Sequence, residues 1–599
     1  METVCDCSGV PYPVYALGKV TMCGAESGAV PEGSVHRLVL EIRGKKGIMP
    51  QAGQFYMLHA VKSGVLLGRP VSVFHAKKTS HGIELHFLIL IKGRGTTELC
   101  NLEADDKVQL LGPLGNTFPR PADGGKTCII GGGVGVAPVA GFAETLTECS
   151  YDFYAAFKSG SYGLNYIHPE SLYIATEDGS CGTKGMLPVV LDADTIRREG
   201  YRALYACGPG PMLAYVQRIA EQAGIPCWIS MEARMACGMG VCLGCTIHTT
   251  EGNKRCCKEG PVFNASVLQF EAPQVHPAVK AAAARLPLPK KPDLSVTIGG
   301  VKLRNPVIAS SGTFGFGTEY GSVFDVNKLG GIASKGLTLE KREGNPGIRL
   351  LETPSGLMNS IGLQNPGIPH FIAHELPEML KLKPVTIANL SGSTLQTYEE
   401  GARLLDATDV PLIELNISCP NVSAGGAAWG MDCRSAEQAV RAVRAATKKP
   451  LIVKLTPQAP DLIAVAMTCR LAGADAISIC NSFSGVAIDI ERGLPVFDNI
   501  KAGVGGPAIR PLALRHVYEL ATAMNELPEA DRIPIVGAGG IAVWQDAVEF
   551  IMSGAAAVQV GTGTFSNPFA MTEIIEGLTA FMQRKGFTCL ADMRGIALR

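Results

Sequence analysis

The second half of the chain alternates short apolar runs with longer amphipathic segments, and each run ends in a polar residue or a glycine. The runs span Pro306 to Ser311, Gly331 to Lys335, Val385 to Asn389, Leu412 to Asn416, Leu451 to Lys454, Ala476 to Asn481, Ile533 to Gly540 and Ala556 to Gly561. Each has strand length and is followed by enough chain for a returning helix, so the pattern predicts a parallel (β/α)8 barrel, a TIM barrel. Active sites of such barrels lie at the C-terminal ends of the strands. The residues expected at that mouth are Lys335, Asn389, Asn416, Cys419, Lys454 and Asn481.

The first half follows other rhythms. Short alternating strands up to about residue 120 suit a β-barrel. A strand over Lys126 to Ile130 then runs into Gly131-Gly132-Gly133-Val134-Gly135-Val136-Ala137-Pro138, with a helix starting near Pro138. Glycines at a strand-to-helix turn let a pyrophosphate approach helix-terminal amides, a modest signal on its own. A second strand, Arg202 to Tyr205, leads into Ala206-Cys207-Gly208-Pro209 and strengthens it. Between residues 271 and 294 a Pro/Ala/Lys stretch without strand periodicity marks the main boundary, although its alanine run suits a short helix. The expected domains are 1–120, 121–230, 231–270, a linker at 271–294, and 295–599.

Composition narrows the partners. In 599 residues, 54 Lys and Arg balance 54 Asp and Glu, which gives no reason to expect nucleic acid or a charged surface. The N-terminus lacks a basic-then-apolar leader, and no apolar run reaches membrane-spanning length, so a cytoplasmic protein acting on small molecules is expected. The nineteen cysteines are odd in number and scattered, which suits reduced thiols plus a metal site better than disulfides. Cys5, Cys7 and the insertion Asn525 to Arg532 have no evident role.

Cys237-x4-Cys242-x2-Cys245, followed by Cys257, has the spacing of a 2Fe-2S site, as in plant-type ferredoxins. A zinc site is the alternative, and it more often uses paired C-x2-C motifs. Cys256 competes for the fourth place; the Lys-Glu-Gly-Pro-Val-Phe that follows favours Cys257. Arg69-Pro70-Val71-Ser72 and Lys92-Gly93-Arg94-Gly95-Thr96 combine cations with small donors, as a diphosphate beside a flavin ring requires. In the barrel, Asn359, Asn416, Asn421 and Asn481, with Ser482, offer donors and acceptors in one plane, which suits a flat polar ring. Lys335 and Lys454 lie in apolar runs, where an amine stabilises negative charge on a ligand. Gly506, Gly539, Gly540, Gly561 and Thr562 suit a phosphate site in the last strand–helix loops. Cys419, in Asn-Ile-Ser-Cys-Pro-Asn, is the candidate general base.

Taken in order, these motifs resemble a known family. Residues 10 to 270 carry Arg-Pro-x-Ser, Gly-Pro-Leu-Gly-Asn-x-Phe, Gly-Gly-Gly-x-Gly-x-Ala-Pro, Cys-Gly-Pro and the four cysteines, and look like the ferredoxin-reductase-type electron-transfer subunit of NAD-linked dihydroorotate dehydrogenase. Residues 293 to 599 carry Ala-Ser-Ser-Gly-Thr-Phe-Gly, Ser-Lys-Gly-Leu-Thr, Met-Asn-Ser-Ile-Gly-Leu-Gln-Asn and Asn-Ile-Ser-Cys-Pro-Asn, and look like the class 1B catalytic subunit. The resemblance implies that both subunits of a two-protein complex are joined in one chain.

The resemblance implies oxidation of (S)-dihydroorotate to orotate in pyrimidine synthesis, with electrons passing through FMN, a 2Fe-2S cluster and FAD to NAD+. It places FAD on Arg69, Pro70, Val71, Ser72, Leu88, Ile89, Leu90, Gly95 and Thr96, and NAD at Gly133, Gly135, Cys207, Gly208 and Pro209. It places FMN on Ser311, Lys335, Gly336, Asn389, Asn416, Lys454 and Cys480 and on the glycine loops named above. Substrate would meet Lys335, Asn359, Ser360, Ile361, Gly362, Leu363, Asn416, Asn421, Asn481 and Ser482, with Cys419 and Lys335 catalytic. A homodimer through the barrels is implied. The rival readings are a reductase of another pyrimidine, and a barrel that only docks or relays electrons.

Overall fold

A computed structural model describes residues 14–29, 33–44, 48–61, 64–65, 67–121, 125–148, 150–240, 242–270, 277–283, 291–418 and 429–599. Cys5, Cys7, Cys419 and Asn421 therefore lie outside the described residues. The chain divides into two compact units, 1–273 and 274–599.

The first unit opens with a closed antiparallel barrel of six strands. Their order around the barrel is Val14–Ala25, Val35–Arg43, Gly82–Leu90, Arg69–Thr79, Phe55–Ala60 and Lys107–Leu114. Inward residues such as Leu38, Leu40, Leu58, Leu85, Phe87 and Leu110 are fully buried, as strand alternation demands. The chain then forms a seven-stranded sheet whose central strands, Thr127–Gly132 and Ala203–Cys207, pair in parallel. The helix after the glycine turn starts at Val136, two residues ahead of the expected position, because Pro138 fits inside a first turn, where no amide donor is needed. The segment holding the clustered cysteines forms a hairpin, Thr246–Thr249 with Gly252–Arg255, and then returns through Val262–Asn264 to pair antiparallel with Cys227–Ser230. The cysteine loop is thereby tied to the seven-stranded sheet at both ends.

The second unit is the eight-stranded parallel barrel foreseen from the apolar runs. Its strands are Val307–Ala309, Gly331–Ala333, Val385–Leu390, Leu412–Asn416, Leu451–Lys454, Ala476–Ile479, Ile535–Ala538 and Ala557–Val560. The inward residues of the lower layer are Ile308, Ala333, Ile387, Leu412, Ile452, Ala476, Val536 and Ala557, all buried and apolar. Two residues onward on each strand, the same inward face becomes Ser310, Lys335, Asn389, Glu414, Lys454, Ser478, Ala538 and Gln559. A polar layer therefore lies directly above the apolar plug.

A four-stranded antiparallel sheet is added to this barrel. Its order is Leu350–Thr353, Gly356–Asn359, Lys501–Gly505, Phe483–Val486, so it draws on the loops that follow the second and sixth barrel strands. The alanine run forms a helix, Pro277–Ala283. The insertion at Asn525 closes on itself, with the Arg532 guanidinium donating to the carbonyls of Leu527 and Asn525. No helix among the described residues is long and apolar enough to cross a membrane.

Candidate active site

A cavity of about 270 Å3 opens at the C-terminal mouth of the parallel barrel. Of the residues expected there, Ser311, Lys335, Gly336, Asn359, Ile361, Gly362, Leu363, Asn416, Lys454, Cys480, Asn481, Ser482, Gly506, Gly539, Gly540, Gly561 and Thr562 line it. Ser360 and Asn389 do not. The Ser360 hydroxyl faces away and accepts from Asn345 Nδ2 at 3.0 Å. Asn389 is fully buried beneath the cavity, donating to Glu414 Oε2 at 2.6 Å.

Of the floor of this cavity the sequence pointed to Lys454 but not to Gln559 or Glu414. Lys454 Nζ donates to Gln559 Oε1 at 2.8 Å, and Gln559 Nε2 donates to Glu414 Oε1. Glu414 also lies 3.7 Å from Lys454 Nζ and has no exposed side-chain surface. The available signal was a charged residue inside the apolar run Leu412 to Asn416, because a carboxylate buried among hydrophobes needs partners. Higher in the wall, Lys335 Nζ donates to the Gly312 carbonyl at 3.3 Å, and Asn359 Nδ2 reaches the Gly503 carbonyl at 3.3 Å. Burial pushes the Cys480 thiol up to about 12, against the opposing charge of Lys454.

The far wall is glycine. Gly506 and Gly540 have φ of 99° and 75°, a region that side chains disfavour. A Cβ at Gly540 would lie 2.5 Å from the Arg510 amide nitrogen. Glycine at these positions lets the loops pack closely against Gly356, Ala513 and Arg510, and a cavity lined by Gly506, Gly539, Gly540 and Gly561 fits a flavin with a phosphate tail.

In the first unit a second cavity lies between the small barrel and the parallel sheet. Arg69, Pro70, Val71, Ser72, Leu88, Ile89, Leu90, Thr96, Gly135 and Cys207 line it. Gly95 stands behind Arg69, and a Cβ there would strike the guanidinium, so glycine lets the arginine lie across the helix start. The Thr96 hydroxyl is engaged in its own turn, accepting from the Lys92 and Gly93 amides and donating to the Gly93 carbonyl. Gly133, Gly208 and Pro209 are outside the lining, and a Cβ at Gly208 would press on Gly132 and Met212. Glu232, unforeseen, faces the same cavity; burial, reinforced by its charge, pushes Cys207 up to about 12.

Among the described residues no three Cys, His, Asp or Glu side chains converge on a single ion position. Two of the four cysteines lie side by side, and a third receives backbone amides of the same loop. Cys245 and Cys257 have their sulfurs 3.2 Å apart, and Cys237 Sγ receives the amides of Met239 and Cys242 at 3.4 and 3.5 Å. A two-iron cluster takes two thiolates on each iron and amide donors on its sulfurs, so the donor set fits that group.

Known proteins agree with this layout. The dihydroorotate dehydrogenase family model matches residues 293–582, and that of the iron-sulfur cluster binding domain of dihydroorotate dehydrogenase B matches 232–269. Over 304 residues the chain is 51% identical to the catalytic subunit of dihydroorotate dehydrogenase B (NAD(+)) from Petrotoga mobilis, covering 99% of that protein and 51% of this chain. The chain belongs to the dihydroorotate dehydrogenase family. The catalytic subunit from Trichlorobacter lovleyi is 47% identical over 306 residues, covering 98% of its length and again 51% of this chain. This member of the dihydroorotate dehydrogenase family thus carries its catalytic barrel and a B-type iron–sulfur domain on one polypeptide. Its barrel cavity and its clustered cysteines lie inside the two matched regions.

Proposed function

We propose that the protein oxidises (S)-dihydroorotate to orotate with NAD+ as acceptor, a step of pyrimidine synthesis, and that the 270 Å3 barrel cavity is where it does so. The observation that carries this reading is the convergence of Lys335, Lys454, Asn416 and Asn481 on a glycine-walled cavity within the matched family region. When bound, FMN in the barrel supplies a two-electron acceptor, the 2Fe-2S cluster single-electron carriage, and FAD in the first unit two-electron exchange with NAD+.

Dihydroorotate must lose a proton from C5 and a hydride from C6. Cys419 is assigned the proton. It follows Ser418, whose hydroxyl is held between Asn416 and Asn481. Lys335 is assigned the substrate carboxylate, since it stands at the rim of the mouth while Lys454 is sunk in the floor. Asn359, Asn481 and Ser482 hold the ring edge, and the segment Ile361 to Leu363 closes the wall. Gly506, Gly539, Gly540, Gly561 and Thr562 would hold the FMN phosphate. Arg69 to Ser72 and Leu88 to Leu90 would hold FAD, with NAD entering along Gly133, Gly135 and Cys207 to Pro209. Cys237, Cys242, Cys245 and Cys257 would hold the cluster. A cytoplasmic homodimer completes the proposal.

The test is anaerobic mixing of the flavin-loaded full-length protein with dihydroorotate and NAD+, following NADH absorbance. Steady NADH formation is expected. Flavin bleaching without NADH would overturn the acceptor side, and absence of bleaching would overturn the substrate.

A further inference from the structure

An iron–sulfur cluster carries electrons and no hydrogen, which sets a requirement at the far end of the proposed path. Dihydroorotate gives up a proton from C5 and a hydride from C6 in the barrel. Only the two electrons of that hydride pass to the cluster, so its hydrogen stays behind as a second proton. NAD+ accepts a hydride, and the first unit must therefore rebuild one from two electrons and one proton. Two protons leave at the barrel and one enters the first unit, which balances the single proton released as dihydroorotate and NAD+ become orotate and NADH. The entering proton has to reach the cavity between the small barrel and the parallel sheet.

Among the described residues, four ionisable side chains line that cavity: Arg69, Lys92, Cys207 and Glu232. A guanidinium and an ammonium hold their protons at neutral pH, and Arg69 Nη1 is further tied to the Leu67 and Gly68 carbonyls at 2.6 and 3.4 Å. Cys207 is 3% exposed, closed off from water. Glu232 differs from all three. Its side chain is 64% exposed, so one carboxylate touches both water and the cavity. Lys92 Nζ stands 3.9 Å from it and is just as exposed, a pairing too weak to lock the carboxylate in place.

The position of Glu232 along the chain points the same way. Met231, Glu232, Ala233 and Met235 line the cavity, and Cys237, the first of the clustered cysteines, follows two residues on. The Met231 amide donates to the Pro261 carbonyl at 2.8 Å, and the Met231 carbonyl receives the Cys256 thiol at 3.2 Å, so the segment is anchored just before the carboxylate. Cys207 pairs in register with Ser230 on the neighbouring strand, which places Glu232 just past the strand end assigned to NAD. The carboxylate thus lies on the stretch of chain that joins the cavity to the cysteine loop.

We propose that Glu232 is a further catalytic residue, the one that carries a proton between water and the FAD cavity. With dihydroorotate as donor, the Glu232 carboxyl gives its proton as the two electrons arrive and regains one from water. With NADH as donor, the Glu232 carboxylate takes up the hydrogen left behind, as a proton, once the two electrons have moved to the cluster. The inference rests on the dihydroorotate reading, which puts FAD and the cluster on one chain, and deepens it.

The test uses the full-length protein loaded with both flavins and the cluster, mixed anaerobically with NADH. A hydride from NADH brings its own hydrogen and needs no carboxylate, whereas passing its electrons to the cluster leaves a proton to be removed. In Glu232→Gln, flavin bleaching should stay within about threefold of the parent rate, while cluster reduction, read by freeze-quench electron paramagnetic resonance, slows at least tenfold. Added formate, a small carboxylate, should restore part of the cluster rate in the variant and leave the parent unchanged.

Cluster reduction at the parent rate in Glu232→Gln overturns the proposal. So does any slowing that formate leaves untouched, since that marks a structural role. If Glu232→Gln does not retain FAD, Glu232→Asp keeps the charge but draws it back by one methylene, and must slow cluster reduction severalfold with bleaching intact; parent behaviour there also overturns it. A parent protein whose flavin NADH does not bleach overturns the acceptor side of the functional reading and this inference with it. NADH formation from dihydroorotate by the parent, with cluster reduction indifferent to position 232, sinks the inference alone.

Discussion

The sulfur of Cys257 lies 3.2 Å from that of Cys245, while the neighbouring Cys256 turns the other way and donates its thiol to the Met231 carbonyl at 3.2 Å. Adjacent residues therefore have separate tasks. Cys257→Ser is expected to abolish the iron–sulfur absorbance and electron paramagnetic resonance signal of the purified protein. Cys256→Ser should retain both, at some cost in melting temperature. Loss of the cluster from the Cys256 variant alone would reverse the assignment.

Removing the assigned base should separate chemistry from binding. Cys419→Ala is expected to slow flavin bleaching by dihydroorotate about 10²- to 10⁴-fold, the usual worth of a positioned base. Orotate binding and flavin content should stay near the parent's. The measurement is anaerobic stopped-flow reduction against pH; an unchanged rate would remove Cys419 from the mechanism.

Gly540→Ala forces a side chain into φ 75° and against the Arg510 amide. The strain of such a residue is about 1–3 kcal/mol, and the loop must shift away from Arg510 to relieve it, disturbing the cavity wall that Gly540 forms. The purified variant should carry less flavin on the barrel than the parent, read from the absorbance ratio after denaturation, while the iron–sulfur signal persists.

His516 is buried beside Phe483, its Nδ1 3.7 Å from Glu519, and its pKa is lowered, chiefly by burial and then by Arg515, with Glu519 opposing. The unfolded chain then binds the proton first. Stability is full above the ordinary histidine value of about 6.5 and falls as pH drops below it. The decline in melting temperature from pH 7.5 to 5.5 should be shallower in His516→Phe; an identical slope would assign the pH dependence to other groups.

Much of this architecture was legible because it depends on local periodicity. Eight apolar runs became eight strands, and each ended within a few residues of its expected place, since a strand cannot carry its apolar alternation past the mouth. The roles of individual polar residues were less legible. Asn389 and Asn416 look alike in sequence, yet one lies beneath the cavity and the other lines it. Glu414 was overlooked because its significance depends on Lys454, Asn389 and Gln559, which three other strands bring to it. Glu232 escaped for a similar reason: it lies in the loop after Cys227–Ser230, and its neighbour in the cavity, Cys207, ends a different strand. Pairing between strands distant in sequence sets these relations, and no window of sequence contains them.

The added sheet joins Asn359, which follows the second barrel strand, to Ser484, which follows the sixth, through the shared partner Gly503. Those loops start from opposite sides of the ring, so the sheet works as a bridge with two abutments. Neither loop can swing alone without breaking backbone pairs along Lys501–Gly505. Traffic of small molecules must therefore pass beside the span or wait for it to lift whole, and a length change in one loop has to be matched in the other.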